Sequence, residues 1–222
     1  MEEKAGGVSP SPPHIVLTPS QREALQSILN AQRRLRDPWY SDATVTFDHY
    51  PANFTPISPD TDLSFVQPYT FGFGVQFTSL PAGMPVWAVP ATNFSGQSGN
   101  VVSLGKYDPN NPALYPTFTG SDGTIVATFT LPVNWVTIDY WAYSPNATYS
   151  NQNLPYLQAL DANMNILATH TPSPVTANSW QTLPPISRAQ ADISAVAFSM
   201  LGGAPEPLGV VFDNLHFQRP TT

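Results

Sequence analysis

From Ala43 to Phe217, apolar and polar residues alternate in short runs broken by Pro, Gly, Asn and Asp. Alternation with a period of two marks strands with one face in a core, and the breakers mark turns. Strands are expected near 43–49, 71–78, 85–89, 100–105, 124–130, 135–143, 155–160, 165–170, 179–183, 192–200 and 208–217. Short strands at this spacing predict a sandwich or barrel. "LDANMNILA" (160–168) reads as a hairpin whose Asp161-to-Asn165 turn uses residues that tolerate tight backbone angles. Leu131-Pro132 is expected to end a strand.

The last strand, "GVVFDNLHF" (209–217), poses a problem of parity. In a regular strand Val211, Asp213, Leu215 and Phe217 share one face, and Val210, Phe212, Asn214 and His216 share the other. If Leu215 and Phe217 face a core, the carboxylate of Asp213 does too. A buried carboxylate without partners costs several kcal/mol or shifts its pKa.

One stretch has a different period. In "TPSQREALQSILNAQRRLRD", Thr18 suits the N-cap, Pro19 the first helical position, and Gln21 completes a capping box. Leu25, Ile28, Leu29 and Leu35 form a narrow apolar stripe, Arg33, Arg34 and Arg36 suit the negative C-terminal end, and Pro38 stops the helix. Two roles stay open: packing on the body or a neighbouring subunit, and docking on an acidic partner. The expected boundaries are a leader at 1–17, a helical segment at 18–40, a β-domain at 43–217 and a tail at 218–222.

Composition narrows the function. The 222 residues include 25 Pro and 13 Gly, with 41% hydrophobic, 12% aromatic and 10% charged residues. Few charges with many aromatics argue against disorder. Residues 1–39 hold five of the eight basic residues, so the remainder carries three against eleven acids. An acidic body of this kind offers no electrostatic footprint for nucleic acid. There is no apolar run long enough to span a bilayer. Cysteine is absent, which removes disulfides, thiolate metal sites and cysteine nucleophiles. The first residues lack the charged start and apolar stretch of a secretory signal, so export would require a leader outside this sequence, and a cytoplasmic location stays open. Three sequons, at Asn53, Asn93 and Asn146, are best explained by chance in a chain rich in Asn, Ser and Thr.

Taken in order, "ATVTFDHY", "YTFGFGVQFTS", "SGNVVSLG", "GTIVATFTLPVNWVTIDYW", "LQALDANMNILATHT", "ISAVAFSM" and "GVVFDNLHF" resemble the jelly-roll domains of exported bacterial proteins, including PEP-CTERM-type surface proteins. The resemblance covers about residues 43–217 and none of 1–40. It departs from the usual pattern at Met164, where such turns carry Gly, and at Asp48-His49, where a second acid is usual. It implies an all-β fold, an antiparallel two-sheet jelly-roll sandwich with one short N-terminal helix. It also implies a secreted or surface-displayed protein, with first and last strands adjacent. In such domains acids at the ends of these two strands can support a structural calcium. Here the matching residues are Asp48 and Asp213, and calcium takes the hard oxygens they offer. The other reading of Asp213 is a carboxylate that accepts backbone N–H bonds at the strand entrance.

Catalytic signals are weak. His14, His49, His170 and His216 lack metal-ligand spacing, with His49 and His216 expected as exposed neighbours on adjacent strands. Beyond Glu23 the one remaining Glu is Glu206, in a Pro-rich loop, so a glycosidase pair would have to be built from Asp. Binding has more support. In "WVTIDYWAY", Val136, Ile138, Tyr140 and Ala142 form one face, leaving Asp139 between Trp141 and Tyr143 on the other. Aromatic faces beside a carboxylate suit a sugar, and Tyr107 and Tyr115 in the loop 106–118 would border that site. The alternative is a strand covered on both faces, by the N-terminal helix or a long loop. The functional expectation is a non-catalytic binding module, with a glycan or another protein subunit as partner. Its rival is a self-assembling structural protein, a virion or surface-layer component, using the jelly roll and the helix for subunit contacts.

Overall fold

The computed structural model describes residues 17–32, 42–50, 54–65, 73–80, 84–91, 98–104, 123–143, 154–172, 175–176, 178–200 and 209–219. The strands are β1 (Asp42–Val45), β2 (His49–Tyr50), β3 (Thr55–Pro56), β4 (Thr61–Asp62) and β5 (Val75–Leu80). Next come β6 (Trp87–Pro90), β7 (Asn100–Ser103), β8 (Thr124–Val133), β9 (Trp135–Tyr143) and β10 (Pro155–Leu160). The chain ends with β11 (Ile166–His170), β12 (Trp180–Thr182), β13 (Ile186–Ser187), β14 (Ile193–Met200) and β15 (Gly209–Gln218). The helix α1 spans Pro19–Gln32.

Two antiparallel sheets face each other. The larger has the order β12-β9-β15-β7-β6-β4, with β1 also on β15 and β13 also on β9; the smaller runs β11-β10-β14-β8-β5. Between them lies a core in which Phe47 meets Phe77, Phe129 meets Phe217 and Phe198 meets Phe212, at centroid distances of 5.3, 4.9 and 5.0 Å. This is the expected all-β, jelly-roll-like sandwich. First and last strands are neighbours, Asp42 opposite Gln218 and Val45 opposite Leu215.

Most of the longer strands lie where alternation put them, but the first, expected to reach 49, ends at Val45, and the one expected at 71–78 is Val75–Leu80. The two-residue strands β2, β3, β4 and β13 were not legible, because two residues define no period. Pro132 does not end its strand, since β8 runs on to Val133. The pairing of β8 with β14 shifts between Thr128 and Val133, and that irregularity absorbs the missing N–H of Pro132.

The capping box of α1 is formed: Thr18 N–H donates to Gln21 Oε1 at 2.8 Å, and Gln21 N–H to Thr18 Oγ1 at 3.3 Å. The helix was expected to reach about residue 36, and residues 33–41, including Leu35, lie outside the described part. Leu25 and Leu29 pack with Leu17 on Leu80, Val126, Leu160, Met164, Ala195 and Ala197. That surface is the outer face of the smaller sheet, so α1 packs on its own body. Arg22 ties it to the β10–β11 turn through the carbonyl of Asn163 and the side chain of Asn165. Met164 has φ 61°, which explains why Gly is usual at this place. Its side chain, 1% exposed, is buried under the helix in return. Among the described residues no helix is long and apolar enough to cross a membrane.

The parity problem of β15 is resolved by a bulge. Its pairing with β9 shifts between Asp213 and His216, and Asn214 has φ 49°. Val210 and Phe212 face the core before the bulge, and Leu215 and Phe217 face it after. Val211 packs on the opposite face, with Trp141. Asp213, two residues on, shares that outer face. The expectation that Asp213 lies on the core side with Leu215 and Phe217 is therefore wrong, because one left-handed residue reverses the phase. Asn214→Val should destabilise the domain by ~1–3 kcal/mol in urea unfolding, since a β-branched residue resists this conformation. Asn214→Gly should cost less than Asn214→Val; equal losses would show that backbone conformation is not what Asn214 supplies.

Candidate functional site

The outer face of the larger sheet carries the aromatic and acidic residues that sequence parity set apart. On β9, Val136, Ile138, Tyr140 and Ala142 enter the core, as expected. Trp141 instead joins Val89, Ala91, Val101 and Val211, with Trp87 and Trp180 packed against them. Register places Trp180 of β12 opposite Trp141, and Trp141 opposite Val211 of β15. The next row runs from Thr182 through Asp139 to Asp213.

Trp141 is only 4% exposed, so it is no open stacking plane, and the reading in which both faces of β9 are covered holds for it. The cover is not α1, which lies on the other sheet. Trp87 and Trp180 are half-buried, and they are the indoles this cluster presents. Neither was singled out from the sequence, although their strands were; a period-two reading marks a face but not which face is wet. Tyr143 ends β9 opposite Gly209, and its side chain lies outside the described part. Tyr107 and Tyr115 also lie outside the described residues.

Asp139 is held from two sides. Thr182 Oγ1 donates to one carboxylate oxygen at 2.6 Å, and Asn214 Nδ2 donates to the other at 2.9 Å. The bulge that corrects the parity of β15 thus also aims an amide at Asp139. Asp48, just after β1, is clamped elsewhere: its Oδ1 accepts the N–H of Asn100 at 2.6 Å. Gly99 makes room for it, since a Cβ there would lie 2.0 Å from Asp48 Oδ1, and φ is +95°. The Asn100 amide bonds the carbonyls of Phe47 at 3.2 Å and Ile57 at 2.7 Å. Asp48 and Asn100 together fasten the end of β1 to β7.

Asp213 is the strained member. It is 7% exposed and lies directly across from Asp139. Burial pushes its carboxyl up to about 7; the Asn214 N–H, donating at 2.7 Å, opposes this, and the charges of Asp48 and Asp139 add to the rise. The reading in which Asp213 collects strand-entrance N–H groups finds this one donor. Asp48, expected as a second calcium ligand, adds its charge to the rise at Asp213. Among the described residues no three acids or histidines come together to hold a metal ion. A calcium ion here would therefore need backbone and amide oxygens to complete its shell of six to eight.

His49 and His216 are not neighbours. His216 lies between Thr44 and Thr137, whereas His49 pairs with Pro56.

No protein-family model matches the chain, and no curated protein matches it. Among solved structures it is similar to the K2 cleaved adhesin domain of Lys-gingipain, at 12% identity and TM-score 0.45, covering 80% of this chain and 99% of that one. The K1 cleaved adhesin domain of Lys-gingipain from Porphyromonas gingivalis has 15% identity and TM-score 0.38, with 82% and 100% covered. The CBM22-1-GH10 modules of Clostridium thermocellum xylanase 10B, complexed with xylohexaose, have 9% identity and TM-score 0.41, with 81% of this chain and 28% of that one covered. Likeness this distant leaves the chemistry of the site to its own residues.

The Asp213 shift has a consequence for stability. An acid whose pKa is raised by folding binds its proton more tightly in the native state, so its contribution is full below the unfolded value of 3.8 and fades as pH rises through about 7. In metal-free buffer the melting temperature should fall between pH 4 and 7.5 through this group. Asp213→Asn should flatten that slope and be the more stable protein at pH 8. Parallel slopes for the two proteins in calorimetry would rule this out.

Proposed function

We propose that the chain is a non-catalytic binding module, secreted or displayed at a surface, that takes a glycan on the outer face of its larger sheet. The observation that carries this reading is the pair of half-buried indoles, Trp87 and Trp180, beside an oriented polar row. In that row Thr182 and Asn214 fix both oxygens of Asp139. Indole faces suit the C–H face of a sugar ring, and a carboxylate locked in one rotamer receives hydroxyls without losing entropy. On a glycan array the protein should bind, and Trp180→Ala should lower affinity about tenfold, ~1.4 kcal/mol, in a variant that circular dichroism shows to be folded. Binding that survives both Trp180→Ala and Trp87→Ala would remove this face from the proposal.

The rival assembly reading relied on α1 as an arm for a neighbour. Its buried leucines are already engaged on the smaller sheet, which favours the binding reading. Light scattering behind size exclusion should give a monomer.

A structural calcium at Asp48 and Asp213 is the finer part of the proposal. Its support is a buried carboxylate crowded by two others, a charge imbalance that a hard dication would relieve. At pH 8, millimolar Ca²⁺ should raise the melting temperature and chelator should reverse it, because a ligand of the native state alone stabilises by mass action. Asp213→Asn should lose the response. A wild-type protein indifferent to calcium would end this part of the reading and leave the glycan face untouched.

A further inference from the structure

The other end of the same face carries a group of side chains that the glycan reading has not used. Trp135 of β9, Gln218 of β15 and Asp42 of β1 lie side by side in one row, since Gln218 is opposite both of the others. All three point away from the core, because Val136, Phe217 and Ala43 point into it. Neighbouring strands are ~4.8 Å apart, so this row of three spans roughly 10 Å across the sheet. His216 completes it. Its ring meets the Trp135 indole edge-on, with centroids 4.9 Å apart and planes at 68°. Its Nε2 donates to Asp42 Oδ1 at 2.5 Å, and Gln218 Nε2 donates to Asp42 Oδ2 at 3.3 Å. The group is open to solvent: the Asp42 and His216 side chains are 58% and 32% exposed, and Trp135 is half-buried. Among the described residues, His216 Nδ1 and Gln218 Oε1 have no hydrogen bond.

These features are those of a sugar subsite: a braced aromatic ring, a carboxylate fixed at both oxygens, and further polar atoms left for hydroxyls. The subsite lies on the same strand and the same face as Trp141. Trp135 and Trp141 are six residues apart, ~20 Å along a strand. Between them lie the buried Thr137, whose hydroxyl donates to the Leu183 carbonyl, and then Asp139 and Asn214, all polar. The path carries carboxylates at Asp42, Asp139 and Asp213, which disfavours acidic sugars.

We infer that Trp135, His216, Asp42 and Gln218 form a second sugar subsite, and that the ligand is a neutral linear oligosaccharide lying along β9 from this subsite to the Trp180 end. This rests on the reading of the outer face as glycan-binding. It adds residues at the far end of the face and a ligand class, a chain several sugars long rather than a single residue.

Isothermal titration of the full chain with neutral cello-, xylo-, manno- and galacto-oligosaccharides, from disaccharide to hexasaccharide, tests it. Affinity for the preferred series should rise with length. Trp135→Ala should lower hexasaccharide affinity at least tenfold, to the level of the short members, and leave those short members unchanged. Trp135→Phe should recover part of the loss, which a merely structural role of the indole would not separate by ligand length. His216→Ala, which removes the brace, should behave like a weaker Trp135→Ala. If long chains bind and Trp135→Ala leaves their affinity unchanged, or if it weakens short and long ligands alike, the second subsite is wrong while the glycan face stands. If wild-type protein binds no member of the panel, the glycan face and this inference fall together.

Discussion

Everything on the larger sheet depends on one residue in the left-handed conformation. Without Asn214, β15 could not bury both Phe212 and Phe217, which lie an odd number of positions apart. β15 is also the strand that most of the sheet hangs on, with β9 along one edge and β7 and then β1 along the other. The bulge falls between the residue that pairs with β7 and those that pair with β1. One strand thereby serves two neighbours in succession and keeps an apolar side toward the core throughout.

The same device sets the electrostatics of the outer face. A regular strand would have sent Asp213 inward with Leu215 and Phe217. The bulge leaves it outside, yet it is only 7% exposed there, so the carboxyl is not rehydrated. The two carboxylates that meet across β9 and β15 are treated differently. Asp139 receives an amide and a hydroxyl. Asp213 receives one backbone N–H and carries the burden of burial.

Much of this was legible in the chain. Long strands announce themselves by period two, and the core face of β9 was read correctly because the strand is regular from Val136 to Ala142. The N-cap of α1 was equally plain, since the capping box is a local signal. What failed had a physical reason in each case. Parity cannot survive a bulge, and "FDNLHF" contains its own warning in Asn214, a residue that favours positive φ. Pro132 was mistaken for a stop because an irregular ladder can host a residue without an N–H. The burial of Trp141 fits the reading in which both faces of β9 are covered, but the residues packed on it, Val89, Val101 and Val211, come from three distant strands rather than from the helix or loop expected. The Trp135 group was missed because Asp42 and Gln218 meet only through the closure of the first strand on the last.

The turn at Met164 joins two parts of the molecule that the sheet diagram leaves separate. A left-handed methionine is tolerable while its thioether is sealed beneath Leu25 and Leu29, and Arg22 grips the residues on either side of it. Helix and hairpin are therefore expected to open and close as one cooperative unit. Local opening of α1 would leave a strained backbone with an exposed apolar side chain, so amide protons of the β10–β11 turn should share the protection of the helix rather than that of the sheet beneath them. The helix near the start of the chain is thus tied to a hairpin more than a hundred residues downstream.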